Sequence, residues 1–109
     1  MALTYKVLAQ SNPAATTSTD LYVVPAATTA VCSTLTVTNQ TATDATFRVS
    51  VAVAGAVLAA KQYLAYDVIC PASGLYAFTI GMTLGATDVV RVYSSTATMS
   101  FNLFGCQNT

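Results

Sequence analysis

The stretch Thr46-Phe47-Arg48-Val49-Ser50-Val51-Ala52-Val53 decides the fold class. Phe47, Val49, Val51 and Val53 alternate with Thr46, Arg48, Ser50 and Ala52, the period of a strand with one packed face and one face toward solvent. Upstream, Val31, Leu35 and Val37 share a face with Ser33, while Cys32, Thr34, Thr36 and Thr38 share the other. Between the two runs, Asn39-Gln40-Thr41-Ala42-Thr43-Asp44 supplies turn residues that bond nearby backbone and tolerate left-handed conformations. A hairpin joining the two strands is therefore expected.

The same reading extends in both directions. Leu3 to Ala9 and Leu21 to Val24 precede; Lys61 to Ile69, Leu75 to Ile80, Val89 to Tyr93 and Ala97 to Leu103 follow, the last with Ala97, Met99, Phe101 and Leu103 on one side. Pro71-Ala72-Ser73-Gly74 and Gly85-Ala86-Thr87-Asp88 are breaks between strands. About eight short strands at roughly 8–12-residue spacing predict an all-β protein, an antiparallel β-sandwich of jelly-roll or Ig-like type. No segment holds a helical period; alanine-rich Ala52 to Ala60 has room for a single helical turn. Residues 1–20 read as an N-terminal strand or arm with a Ser/Thr/Asn/Pro-rich loop, and residues 21–109 as the sandwich, one domain in all.

Composition narrows the function classes. Of 109 residues, 54% are hydrophobic and 7% charged, with four basic side chains against four acidic ones and no histidine. A basic stripe for phosphate neutralisation is absent, which argues against nucleic acid as a partner. The longest apolar run, Val51 to Ala60, is half the ~20 residues a spanning helix needs and contains Gly55, so no membrane partner is expected. Neither a leader nor an anchor is read at the N-terminus, which predicts a soluble chain made in the cytoplasm.

The inventory for chemistry is thin. Without histidine the commonest general acid and base is missing, and no serine sits in a Gly-x-Ser-x-Gly elbow. Cys32, Cys70 and Cys106 lack metal-ligand spacing and read as small buried hydrophobes. No catalytic, cofactor-binding or metal-ligating residue is assigned, and no cofactor is expected. Asp20, Asp44 and Asp88 fall at strand starts or turns. Asp67 lies inside a strand pattern and needs a partner, for which Arg48 and Arg91 are the only arginines. Tyr22, Tyr63, Tyr66 and Tyr93 suit either core packing or an interface or sugar-stacking face, because a tyrosine offers apolar area with a polar tip.

A resemblance rests on several stretches: Leu21-Tyr22-Val23-Val24-Pro25, Thr46-Phe47-Arg48-Val49, Lys61-Gln62-Tyr63-Leu64-Ala65-Tyr66-Asp67, Gly81-Met82-Thr83-Leu84, Thr87-Asp88-Val89-Val90-Arg91-Val92-Tyr93 and Ser100-Phe101-Asn102-Leu103-Phe104-Gly105. Together they make the chain from Leu21 to Gly105 resemble small β-sandwich virion proteins of tailed bacteriophages. The resemblance implies a non-enzymatic structural protein located in the virion. It is either a capsid decoration or cement subunit binding the major capsid protein, or a tail, baseplate or fibre component. A carbohydrate-binding module is the alternative from another class. The scarcity of charge leaves strand edges without the lysines that block edge pairing, which favours a homo-oligomer, with a trimer as one form.

Overall fold

The computed structural model describes residues 2–79 and 81–109. Ile80, the expected end of one strand, lies outside the described residues, as does Met1. Among the described residues nine strands form: β1 (Leu3–Ser11), β2 (Thr19–Val23), β3 (Thr29–Asn39), β4 (Ala45–Ala52), β5 (Tyr63–Cys70), β6 (Leu75–Phe78), β7 (Met82–Leu84), β8 (Val89–Ser94) and β9 (Met99–Asn108). One sheet has the order β1-β9-β3-β6, with β7 also paired to β3; the facing sheet has the order β2-β8-β4-β5. The molecule is an all-β sandwich. Its pairs nest around the innermost hairpin β4·β5, enclosed in turn by β3·β6, β2·β8 and β1·β9, all antiparallel. That nesting is the jelly-roll arrangement rather than the Ig-like one.

The expected hairpin between the strands at Val31–Val37 and Phe47–Val53 does not form. β3 and β4 lie in opposite sheets, and the Gln40–Asp44 connection crosses between them. Each strand has one apolar face, and two such faces are buried more completely by facing one another across a sandwich than by lying side by side. Asn39 secures the crossing from a buried position. Its Nδ2 donates to the carbonyls of Thr43 (2.9 Å) and Cys70 (3.1 Å), and its Oδ1 accepts from the Thr41 N–H.

Phe47 is at the centre of the core. Its ring meets the edges of Tyr76 and Phe78 at 5.7 Å and Phe101 at 6.2 Å. Leu35, Val37, Val49, Val90, Val92, Met99 and Leu103 complete the buried layer. Full burial of a side chain such as Phe47 contributes about 1.5–3 kcal/mol.

Two expected faces are revised. Val31, expected on one face with Leu35 and Val37, is exposed, while Ala30 and Cys32 are buried. The pairing of β3 with β9 shifts between Cys32 and Thr34, and one extra residue in a period-two strand moves everything upstream of it to the other face. Val53 is 73% exposed because β4 ends at Ala52 and a 3-10 turn, Val53–Gly55, begins there, with Ala54 at φ 53°. Leu3–Ser11, which sequence left as strand or arm, is an edge strand hydrogen-bonded along β9. Of the cysteines, Cys32 and Cys70 are buried, and Cys106 is only partly so.

Pairing direction gives the sandwich two unlike ends. One end gathers the connections 12–18, 40–44, 71–74 and 95–98, rich in Ser, Thr, Asn and Gln. The other gathers connections 24–28, 53–62 and 85–88 with both termini, and these are dominated by Val, Leu, Ala, Pro and Gly.

Candidate functional site

On the outer face of the β2-β8-β4-β5 sheet, one cross-strand row runs Tyr63, Ser50, Arg91, Asp20, each opposite the next. A second row places Arg48 opposite Tyr93 on β8. On the β5 side of Arg48 the register slips, from Val49↔Ala65 to Phe47↔Val68, so both Tyr66 and Asp67 stand opposite it. Asp67 takes the irregular conformation, φ 51°, which an aspartate tolerates better than most residues.

That bulge aims Asp67 at Arg48. Arg48 Nε donates to Asp67 Oδ1 at 2.7 Å and Nη2 to Oδ2 at 3.3 Å. The guanidinium also lies between the rings of Tyr66 (4.2 Å) and Tyr93 (4.3 Å). Its hydrogen bond to Asp67 raises the Arg48 pKa, with burial opposing. Arg91, the other expected partner of Asp67, is held elsewhere. Its Nε donates to Asp20 at 3.1 Å, its Nη1 to the Ala56 carbonyl at 2.8 Å and its Nη2 to the Gly55 carbonyl at 3.3 Å.

Three of the four tyrosines named from sequence gather here, with Tyr63 and Tyr66 edge to face at 4.9 Å. Tyr22 does not join them. Another register slip, between Asp20 and Tyr22, accompanies its burial, and its hydroxyl accepts from Gln107 Nε2 at 2.6 Å. Between the 12–18 and 53–62 connections a cleft of about 220 Å³ remains, walled by Arg48, Arg91, Tyr63, Tyr93, Ser50 and Leu58 among others. Among the described residues no three His, Cys, Asp or Glu side chains gather into a metal-binding group. The cleft therefore offers hydroxyls, aromatic edges and two arginines that already have carboxylate partners. It suits polar recognition and presents no nucleophile–base pair.

Two apolar surfaces were not legible from sequence. The first is the outer face of the other sheet, where Tyr5, Cys106, Val31 and Thr83 form one row across four strands. Leu3 and Val7 flank Tyr5 on the same side of β1, and Tyr5 is 78% exposed. Alternation pointed to Leu3–Ala9 as a strand, but no local signal tells an outward apolar face from an inward one. The second is the 53–62 connection, whose residues 53–60 are all exposed and lack any polar side chain, with Val57 88% exposed. Compared with protein-family models, curated proteins and solved structures, the chain gives no match in any of the three.

Proposed function

We propose that this chain is a non-enzymatic structural protein of a bacteriophage virion, a decoration or cement subunit that binds the major capsid protein and further copies of itself. The observation that carries this reading is the apolar row on the outer face of the β1-β9-β3 sheet. Leu3, Tyr5, Val7 and Val31 stand on hydrogen-bonded strands, not on a loose tail, and face solvent together. A rigid apolar face of this kind marks a protein contact, because isolated soluble domains keep such patches small. Jelly rolls recur among capsid and lectin domains, which supports the reading by analogy of fold only.

Separating virions into heads and tails and probing each for this chain tests the proposal. The chain is expected in heads, and Tyr5→Asp and Val31→Asp variants should occupy them less fully. Recovery in tails alone would overturn the cement assignment. The cleft beside Tyr63, Tyr66 and Tyr93 favours one second reading, an adhesive tail component that stacks a sugar ring. Binding of host polysaccharide that is lost in Tyr66→Ala would promote it.

A further inference from the structure

Strand β1 has one side committed to β9 and the other side open. Which residues face the open side follows from the pair that closes the ladder. The Ala2 N–H donates to the Thr109 carbonyl at 2.8 Å and the Thr109 N–H to the Ala2 carbonyl at 2.9 Å, so both backbone groups of Ala2 point toward β9. Directions alternate along a strand. Thr4 and Lys6 therefore also bond to β9, while the N–H and C=O groups of Leu3, Tyr5 and Val7 point away from it. Among the described residues nothing else pairs with those outward groups.

Water satisfies these groups in an isolated chain; what they add is a template. Outward donors and acceptors at strand spacing fit an extended strand and little else. From Leu3 to Val7 the pairing with β9 is regular, and the register shift between Val7 and Ala9 ends the usable edge. The remaining edges of the two sheets are poorer templates. β6 and β7 have four and three residues, β2 has five with a register slip, and β5 slips in register beside Asp67.

We infer that the Leu3–Val7 edge pairs antiparallel with the same edge of a second copy, about a two-fold axis at Tyr5. The strand's own order of residues is what specifies a second copy. Turned end for end about Tyr5, it sets Tyr5 against Tyr5 and Leu3 against Val7, so every outward N–H and C=O meets its complement. Lys6, the only charged side chain on β1, then stands opposite Thr4. Other axes fail. One at Lys6 opposes two ammonium groups, one between residues sets outward groups against inward ones, and one at Thr4 leaves Val7 beyond the end of the facing strand. The side chains agree with the backbone: Leu3, Tyr5 and Val7, 58%, 78% and 48% exposed on one face, become apolar cross-strand pairs. The row Thr83, Val31, Cys106, Tyr5 then runs through the axis into the second copy. Because the contact uses both β1 edges at once, it closes as a pair and does not propagate. The pairing rests on the self-association in the proposed function and deepens it by naming how copies meet, while the outer face stays open to a shell protein.

The test is sedimentation and amide hydrogen exchange of the full chain, followed by directed crosslinking. Wild type should sediment at twice the 11.3 kDa chain mass, and the Leu3, Tyr5 and Val7 amides should exchange more slowly as concentration rises. Tyr5→Pro removes an outward N–H and no bond to β9, which an edge strand tolerates, so it should sediment at 11.3 kDa with unchanged circular dichroism. Tyr5→Thr keeps the N–H and should still pair, about fivefold more weakly for the lost ring. In a Cys106→Ser background, Thr4→Cys chains mixed with Lys6→Cys chains should form a disulfide with each other, because opposed residues there have Cα atoms about 4.5 Å apart. A wild type that stays monomeric at millimolar concentration would overturn the pairing, and so would a folded Tyr5→Pro that remains paired. If Tyr5→Pro does not fold, amide exchange and the crosslinks decide. Loss of pairing in Tyr5→Thr as complete as in Tyr5→Pro would move the contact to the tyrosine face and overturn the edge. Lys6→Cys chains that crosslink chiefly to themselves would overturn the axis at Tyr5. Association only when a shell protein is added would assign the edge to that partner and overturn the pair. A paired chain absent from heads would refute the cement reading alone, and a monomer that occupies heads would refute the pairing alone.

Discussion

Gly105 lies directly against the backbone of Val31, so close that a Cβ on Gly105 would overlap the Val31 carbonyl oxygen and stand 2.9 Å from Cys32 Cα. This contact occurs where β3 bulges against β9, with Cys32 paired to Gly105 and Thr34 to Phe104. The atoms in the way are backbone and cannot swing aside. Gly105→Ala should therefore destabilise the fold by roughly 3 kcal/mol, at the upper end of overpacking costs. Chemical denaturation monitored by circular dichroism reads the change; a loss of about 0.5 kcal/mol or less would mean the bulge relaxes freely.

From a buried site Asn39 makes two hydrogen bonds to the 40–44 connection and a third, to the Cys70 carbonyl, that reaches the facing sheet. Asn39→Ala removes two donors and one acceptor and leaves the Thr43 and Cys70 carbonyls short of partners, a loss of about 3 kcal/mol. Asn39→Asp should be worse, because it keeps the acceptor, forfeits both donors and buries a charge. Parallel urea melts of the two variants check the order.

At Asp67 the backbone and the side chain make separate demands. The positive φ favours Asn, Asp or Gly, and the Arg48 contact favours an acceptor. Asp67→Asn should lower the melting temperature least. Asp67→Gly should lose the Arg48 partner while easing the backbone, and Asp67→Val should lower it most, because a β-branched residue is strained at positive φ. A melting series that ranks Val above Asn would contradict the bulge geometry.

Burial, with Cys106 as a smaller contributor, pushes the Cys32 thiol up from 9.0 to about 11. A folded pKa above the unfolded one means the stabilising difference is whole below pH 9 and is lost as pH rises toward 11. Thermal stability should fall across that window in wild type, and less steeply in Cys32→Ala, which starts from a lower baseline because of the cavity it leaves. Equal slopes for the two proteins would show that Cys32 ionisation is not part of the alkaline loss.

Outward from Thr46–Val53, alternation located eight of the nine strands, because a period of two is a local property of each segment. It also placed Phe47, Val49, Met99, Phe101 and Leu103 on inner faces. The ninth strand, Met82–Leu84, is too short to carry a period. The pairing of Arg48 with Asp67 was legible as one of two options, since so few charges exist; the choice between Arg48 and Arg91 required the bulge at Tyr66–Asp67.

Sequence by itself thus determined that the chain is all-β, where eight of its strands run, and that its side chains include no histidine and four acidic groups against four basic ones. Tertiary structure alone decided the partner of each strand, and with it the replacement of the β3–β4 hairpin by a crossing between sheets. It also decided the outward turn of Val31 and the separation of Tyr22 from Tyr63, Tyr66 and Tyr93. The reason is physical: strand pairing is a contact between distant segments, and a single bulged residue reverses every face beyond it without altering local composition. The exposure of 53–60 belongs to the same class. Its apolar run reads alike in sequence whether it is buried or exposed, and hydrogen bonds from Asp88, Arg91 and Gln62 fix the course of its backbone only in the folded chain.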